Sequence, residues 1–216
     1  MAITRPFDEN SEQYEQWFVT NRWVYDTEVE AIRDVLPPTG TGGIAPPAGL
    51  EIGAGSGLFA SRLGIANGVE PSSAMIEKAR ERGLHMKEGV AESLPYPDES
   101  FDYTLMVTAI CFLDDMERSV NEIRRVLKPG GSAVFGFVDK DSPLGRLYQE
   151  HKHENVFYAR ATFRSASEVL EVLRRKGFTI ELVRQTVFGS LEEVDSIQPA
   201  EEGHGRGGFV VIKAVK

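Results

Sequence analysis

Strand patterns and helix patterns alternate along most of this 216-residue chain, and the alternation limits the folds that it can adopt. Residues 101–108 are largely apolar, which is typical of a strand buried on both faces. Residues 72–82 begin with a capping serine and continue with a helical spacing of apolar side chains. Strands that alternate with helices build a parallel sheet covered on both faces. We expect an α/β fold with a doubly wound sheet of seven strands, six parallel and the last antiparallel, and with N-terminal helices.

The composition excludes several kinds of site and partner. A net charge of -9 disfavours a nucleic-acid partner, because phosphate backbones attract basic surfaces. No apolar run is long enough to cross a bilayer, and the N-terminal residues lack the basic and apolar pattern of a secretory signal. The lone cysteine, Cys111, excludes an internal disulfide and an all-cysteine metal site, and its place in an apolar run favours a small buried residue. We expect a cytoplasmic protein with no bound metal and no membrane partner.

Three glycines alternate directly after the first predicted strand, in LEIGAGSGLFA at residues 50–60. In open parallel sheets, ligands bind beyond the carboxyl ends of the strands, and glycine lets a ligand approach the backbone closely. Two ligand classes fit this turn. Residues 55–60 match the dinucleotide pattern G-x-G-x-x-A, which favours an oxidoreductase that uses NAD(P). Glu51, two residues before the first glycine, would repel a pyrophosphate and suits a ligand with a cationic amine.

Four motifs follow one another along the chain: EIGAGSG at 51–57, GVEPSSAMIEKAR at 68–80, GVAESLPYPDESFD at 89–102 and EIRRVLKPGG at 122–131. In this order they resemble the motifs of the class I S-adenosylmethionine-dependent methyltransferases. The resemblance covers about residues 50–138 and is strongest to the branch that contains quinone-biosynthesis and other small-molecule methyltransferases. It implies a Rossmann-like fold and S-adenosylmethionine as cofactor, with S-adenosylhomocysteine as product. It also implies methyl transfer to a small-molecule acceptor by in-line displacement.

The resemblance implies which residues hold the cofactor. Glu51 and the glycine turn would face its cationic methionine end, and Glu70 at the end of the second strand would accept the ribose hydroxyls. Thr108 would line the floor near the sulfonium. Many family members have an aspartate for the adenine amino group where this chain has Val90, which leaves the adenine contact open between Glu92 and the backbone. The full predicted set is Tyr14, Tyr25, Glu51, Gly53, Ala54, Gly55, Gly57, Glu70, Pro71, Ser72, Met75, Val90, Ala91, Glu92, Thr108 and Ala109.

The residues on the acceptor side are less clearly indicated. Methyl transfer depends mostly on positioning, so a general base is optional. The candidate catalytic groups are Tyr14 in the N-terminal helices, Asp139 after the fifth strand and His151 in the segment that follows. His151 and His153 are two residues apart, which separates them on a helix and argues against a two-histidine metal site. Further candidates for the pocket wall are Tyr148, Phe157 and Tyr158.

The length and the 41% hydrophobic content predict a single domain. Its predicted parts are a helical lid at 1–36, a loop at 37–49, a cofactor-binding core at 50–138, a substrate-side insert at 139–164, and a C-terminal helix and strands at 165–216. Apolar spacing predicts a helix break near Thr20 and Asn21. The acceptor atom and the choice between monomer and homodimer stay open. So do two alternative functions, an NAD(P)-dependent oxidoreductase and a non-catalytic S-adenosylmethionine-binding protein.

Overall fold

The computed structural model describes residues 3–37 and 46–216, so most of the predicted loop at 37–49 lies outside the described residues. Within them, one sheet contains eight strands: β1 Gly49–Ile52, β2 Asn67–Glu70, β3 His85–Glu88, β4 Phe101–Val107, β5 Leu127–Val138, β6 Thr179–Thr186, β7 Glu201–Glu202 and β8 Phe209–Val215. Their order across the sheet is β3-β2-β1-β4-β5-β8-β6-β7. Strands β1 to β5 pair in parallel, and β8 pairs antiparallel with both β5 and β6.

The predicted α/β sheet is confirmed, with one strand more than expected. Strand β7 consists of Glu201 and Glu202 alone and pairs antiparallel with β6 at the edge of the sheet. Two exposed acids carry no apolar alternation, so the sequence offers no strand pattern at this point. The extra strand is the outermost strand on the side of the sheet away from β1. It therefore does not change the arrangement of strands around β1.

Among residues 3–37 and 46–216, the α-helices are α1 Arg5–Glu9, α2 Ser11–Thr20, α3 Arg22–Arg33, α4 Leu58–Leu63, α5 Ser73–Glu81, α6 Met116–Val126, α7 Pro143–Glu150 and α8 Ala166–Arg175. Asn21 separates α2 from α3, which is where the sequence predicts a break. Polar side chains cap the starts of α5 to α8. Ser72 caps α5, and Ser165 forms a reciprocal capping box with Glu168 at the start of α8. In the same residues, no helix is long and apolar enough to span a membrane.

Both faces of the sheet are buried under helices. Along β4, Leu105 and Val107 pack into a cluster with α3, α4 and α5, whereas Met106 packs into a second cluster with α6 and α8. Side chains alternate between the faces of a strand, so a run of apolar residues serves both clusters. The neighbours of β1 are β2 on one side and β4 on the other. The chain order reverses there, and the carboxyl ends of these strands open the crevice in which ligands of such sheets bind.

Candidate functional site

A cavity of about 450 Å³ lies at the carboxyl edge of the sheet. Its floor comes from the turns after β1, β2 and β4, and its roof comes from the N-terminal helices together with the segment after β5. The roof is rich in aromatic side chains, which are Phe7, Tyr14, Trp17, Phe18, Tyr148, Phe157 and Tyr158, and the turn after β4 adds Phe112. A concave, mainly apolar site with a few polar groups is typical of a small-ligand pocket.

The glycine turn after β1 exposes backbone where side chains cannot fit. Gly53 and Gly55 have positive φ angles of 68° and 54°, and both line the cavity. A Cβ on Gly53 would lie 2.5 Å from the Cβ of Ala109, and a Cβ on Gly55 would lie 3.2 Å from the Tyr14 hydroxyl. The glycines are therefore required by geometry, and they leave backbone open to a ligand.

The Glu70 carboxylate joins the turns after β1 and β2. One oxygen accepts a hydrogen bond from the backbone N–H of Gly55 at 3.0 Å, and the other accepts from the N–H of Ser72 at 2.9 Å. Burial raises the pKa of Glu70 to about 7, against the lowering effect of these two hydrogen bonds. Each carboxylate oxygen keeps a lone pair, so Glu70 can still accept hydroxyl hydrogens from a ligand in the cavity.

Glu51 is a buried carboxylate with an unpaired oxygen. It is 1% exposed in the middle of β1, and its Oε2 atom has no hydrogen-bond partner among the described residues. Burial raises the pKa of Glu51 to about 8. Glu51 does not line the cavity itself, but it interacts electrostatically with the Tyr14 hydroxyl beside the glycine turn. A buried oxygen without a partner is suited to a polar or cationic group that binds above this turn.

The turn after β4 has an unusual backbone conformation. Thr108 has a positive φ of 52°, which is uncommon for a residue with a side chain. Its N–H donates to the carbonyl of Gly136, and its carbonyl accepts from the thiol of Cys111 at 3.2 Å. Thr108 and Ala109 both line the cavity, whereas Cys111 is buried in a small apolar cluster, as the sequence indicates.

The segment after β3 also lines the cavity, through Val90, Ala91 and Glu92. The Glu92 carboxylate is engaged, since one oxygen accepts from the N–H groups of Asp114 and Asp115 at 2.9 and 3.2 Å. Glu92 thereby holds the turn before α6 against the segment after β3. The adenine contact, which the sequence leaves open between Glu92 and the backbone, stays a prediction.

The structure brings most of the predicted cofactor residues together at the cavity and leaves some outside it. Those that line it are Tyr14, Gly53, Gly55, Glu70, Pro71, Val90, Ala91, Glu92, Thr108 and Ala109. Those that do not are Tyr25, Glu51, Ala54, Gly57, Ser72 and Met75. Tyr25 instead donates its hydroxyl to the carbonyl of Leu58 at 2.7 Å, with Arg62 over its ring. Ser72 and Met75 are wholly buried at the start of α5, where they pack the turn after β2.

Of the three candidate catalytic groups, the structure places only Tyr14 in the cavity. His151 is exposed, and its Nδ1 lies 3.2 Å from the Glu154 carboxylate. Asp139 is fully buried outside the cavity, and its Oδ1 accepts from the N–H groups of Asp141 and Ala166. Within the described ranges, no group of three or more histidine, cysteine, aspartate or glutamate side chains is arranged to hold a metal ion.

Sequence reasoning missed several cavity residues, among them Glu28, Phe7 and Phe112. Glu28 is a 5% exposed carboxylate on α3. It lies four residues after Val24, which also lines the cavity, and side chains at this spacing share one helix face. An acid within an otherwise apolar helix face is the signal that identifies Glu28. Phe7 belongs to the short helix α1, which carries no periodic pattern of its own.

Comparisons with known proteins agree with this geometry. A family of methyltransferase domains matches residues 50–135. The crystal structure of TM1293 from Thermotoga maritima, described as an S-adenosylmethionine-dependent methyltransferase and possible histamine N-methyltransferase, is 44% identical with a TM-score of 0.92. That match covers 98% of this chain and 99% of TM1293, so it includes the roof of the cavity as well as the floor.

Two relatives known from sequence are also similar over most of the chain. The uncharacterized protein MJ1123 of Methanocaldococcus jannaschii is 39% identical over 210 residues, which cover 97% of this chain and 98% of MJ1123. The uncharacterized protein Rv2003c of Mycobacterium tuberculosis is 34% identical over 208 residues, which cover 94% of this chain and 70% of Rv2003c.

The position of Asp139 predicts a role in stability. We expect Asp139→Ala to lower the free energy of unfolding by about 1–3 kcal/mol, because it leaves the partly buried N–H group of Asp141 and the buried N–H group of Ala166 without their acceptor. Affinity for S-adenosylmethionine should stay within twofold of wild type. Urea unfolding and calorimetry measure the two quantities, with the exposed Asp141→Ala as the control. A large loss of affinity at unchanged stability would show that Asp139 contributes to cofactor binding, which contradicts this prediction.

The burial of Glu28 predicts a pH-dependent stability. Burial raises its pKa to about 8 from 4.5, so between these pH values the folded protein keeps a proton that the unfolded chain has lost. The contribution of Glu28 to stability therefore falls as the pH rises through this window. The glutamine in Glu28→Gln cannot ionise, so the stability of this variant lacks the contribution from Glu28 to the pH dependence. We expect the difference in free energy of unfolding, variant minus wild type, to rise by up to ~1.4 kcal/mol per pH unit in this window.

Urea unfolding at pH 5, 6, 7 and 8 measures this difference. The matched control is Glu30→Gln on the same helix, where the carboxylate is 40% exposed and pairs with Arg33. We expect a flat difference from wild type for the control. Parallel pH profiles for wild type and Glu28→Gln would show that Glu28 does not hold a proton in the folded protein.

Proposed function

The chain belongs to the class I S-adenosylmethionine-dependent methyltransferases, and we propose on this basis that it methylates a small-molecule acceptor held in the cavity. The observation that carries the proposal is the cavity itself, which is closed on the roof side by aromatic residues and meets the glycine turn at its floor. The reaction would be an in-line displacement, in which the acceptor atom must lie on the far side of the transferred methyl group from sulfur.

The residues at the floor fit the cofactor of this family. Glu70 has free lone pairs for the ribose hydroxyls, and Gly53 and Gly55 leave backbone open for close approach. The unpaired oxygen of Glu51 suits the cationic amine of the methionine end. Bound S-adenosylmethionine supplies an electrophilic methyl group. The sequence left two ligand classes open for the glycine turn, NAD(P) and a ligand with a cationic amine. Because the family uses S-adenosylmethionine, the second class is the one that applies to this chain.

The chain's own contribution to catalysis would be to position the acceptor and exclude water. Phe7 packs edge-on against Phe112 at a ring distance of 5.3 Å and tilts against Phe157 at the same distance. Phe112 in turn stacks on Tyr158. These contacts join α1, the turn after β4 and the segment after β5 into one apolar wall. Such a wall shields the reacting atoms from solvent and limits the acceptor to a small molecule.

The relative TM1293, 44% identical, is described as a possible histamine N-methyltransferase, which supports a small-molecule acceptor for this chain as well. We further propose that the protein works in the cytoplasm without a nucleic-acid partner, as a monomer or homodimer. The net charge of -9 supports the second of these points. The assignment of residues 1–36 and 139–164 as lid and insert, and the single-domain division, remain predictions.

Calorimetric titration tests the cofactor and its ribose contact. We expect wild type to bind S-adenosylmethionine and S-adenosylhomocysteine with micromolar affinity and not to bind NADH. Glu70→Ala should lose at least tenfold in affinity, because it removes the ribose acceptor and the clamp on Gly55. The matched control is Glu88→Ala, which changes the exposed partner of Glu70 on the neighbouring strand and should bind normally. A preference for NADH, or equal losses in both variants, would contradict the proposal.

A pair of glycine variants tests the approach of the cofactor to the turn. Gly53 and Gly64 both have positive φ, at 68° and 72°, so alanine strains the backbone at both. Only at Gly53 does the added methyl meet another atom, the Ala109 Cβ at 2.5 Å, whereas nothing lies within 4 Å at Gly64. We expect Gly53→Ala to lose at least tenfold in affinity for S-adenosylhomocysteine and Gly64→Ala to keep it. Equal affinities, measured on folded protein, would count against binding at this turn.

A further inference from the structure

The Glu28 carboxylate is buried in the roof of the cavity and has no hydrogen-bond or ion-pair partner in the part of the chain that the structure describes. Its side chain lines the cavity and is 5% exposed. Among residues 3–37 and 46–216, no side chain or backbone group donates a hydrogen bond to this carboxylate or forms an ion pair with it. A buried carboxylate is costly unless it is protonated or paired, so an unpaired one that faces a ligand cavity marks a site for a group that the ligand brings.

The charged residues around the cavity are all acidic. Glu28, Glu70, Glu92 and Asp114 line it, and no lysine, arginine or histidine of the described chain does. Glu70 and Glu92 accept hydrogen bonds from backbone N–H groups of the turns. Asp114 also has a partner, so Glu28 is the acid of this set whose carboxylate has none among the described residues. A cavity with this balance attracts a cation and repels an anion.

The groups that face Glu28 are aromatic and uncharged at neutral pH. Three tyrosines interact with it electrostatically, Tyr14 of α2, Tyr148 of α7 and Tyr158. Burial raises the pKa of each tyrosine above its ordinary value, so all three keep their protons. Glu192 adds a negative charge near Tyr148. Tyrosine rings attract a cationic nitrogen through their faces and also pack against an apolar body. The surroundings of Glu28 therefore suit an ammonium group attached to an apolar skeleton.

We propose that the acceptor is a small primary or secondary amine with an aromatic or aliphatic body, and that Glu28 binds its nitrogen and takes its proton. This inference rests on the proposed function, and it names the acceptor class and a catalytic residue for that same cavity. The acidic lining, with no cation among the described residues that line the cavity, favours an amine over a carboxylate or phosphate as acceptor.

Methylation of an amine nitrogen requires that the ammonium first lose a proton, and Glu28 is placed to accept it. An amine arrives in solution as R–NH₃⁺, whose nitrogen has no free electron pair. Transfer of one proton from the ammonium to the Glu28 carboxylate gives R–NH₂ and a neutral carboxylic acid. The freed pair then forms the N–C bond to the methyl group while the C–S bond breaks and its electrons stay on sulfur, which leaves S-adenosylhomocysteine and R–NH₂–CH₃⁺. Burial raises the pKa of Glu28 to about 8, which matches the carboxylate to this exchange near neutral pH.

Calorimetry with pairs of probes tests the inference on the whole protein saturated with S-adenosylhomocysteine. The probes are benzylamine, 2-phenylethylamine and n-hexylamine, each compared with the alcohol of the same skeleton. We expect at least one amine to bind wild type tenfold or more tightly than its alcohol. Glu28→Gln should remove this preference, Glu28→Asp should restore part of it, and Glu30→Gln on the same helix should behave as wild type.

Proton release distinguishes binding to Glu28 from a structural effect. At pH 6.5, where Glu28 is protonated in the free protein, we expect close to one proton to be released for each amine bound, measured in two buffers of different ionisation enthalpy. Affinity for the amine should rise with pH up to about 8 and then level off, because Glu28 is then ionised. In Glu28→Gln, proton release and the pH dependence should both disappear.

The outcomes separate this inference from the proposed function. If wild type fails to bind S-adenosylhomocysteine, the proposed function fails. If S-adenosylhomocysteine binds and no amine is preferred over its alcohol, the amine inference alone is overturned. It is also overturned if Glu28→Gln keeps the preference and the proton release while S-adenosylhomocysteine binds to it as to wild type. Detection of the N-methylated amine by mass spectrometry, lost in Glu28→Gln and kept in Glu30→Gln, would complete the support.

Discussion

One carboxylate, that of Glu70, fixes the relative positions of the two turns on which the site is built. Its two oxygens accept hydrogen bonds from the backbone N–H groups of Gly55 and Ser72. If the turn after β1 and the start of α5 moved apart, the buried carboxylate would lose these partners, which is costly. Ser72 extends the clamp, since its hydroxyl donates to Asp8 of α1 at 2.7 Å. The glycine turn, the second strand and the first helix of the roof are thereby connected through a single buried acid.

The energetic character of the site follows from burying acids with few partners. Burial raises the pKa values of Glu28 and Glu51 to about 8 and that of Glu70 to about 7, so each carboxylate is held in surroundings that disfavour its charged form. Such a cost has to be offset by the apolar clusters on both faces of the sheet. A ligand that brings positive charge or hydroxyl donors stabilises these buried carboxylates. Its binding should therefore raise the free energy of unfolding of this protein.

Local sequence patterns predicted the floor of the site because its elements follow from short-range rules. The glycine turn, the Ser72 cap and the acid at the end of β2 are each set by backbone conformation within a few residues. The roof depends on long-range contacts instead. Helix α1 is only five residues long and is held by the bond from Ser72 to Asp8. Asp139 follows a strand as site residues often do, yet its carboxylate accepts from Asp141 and Ala166, which no sequence pattern reports.

The division between floor and roof also determines where acceptor specificity lies. The match to methyltransferase domains ends at residue 135 and so includes the floor alone. Glu28 on α3 and the tyrosines after β5 lie outside that match, whereas the similarity to TM1293 and MJ1123 spans nearly the whole chain. A shared floor binds a common cofactor, and fold alone does not set the acceptor. We therefore expect this chain to share its acceptor class with relatives that have the same roof, and Glu28 is the residue of the roof that we propose to select that class.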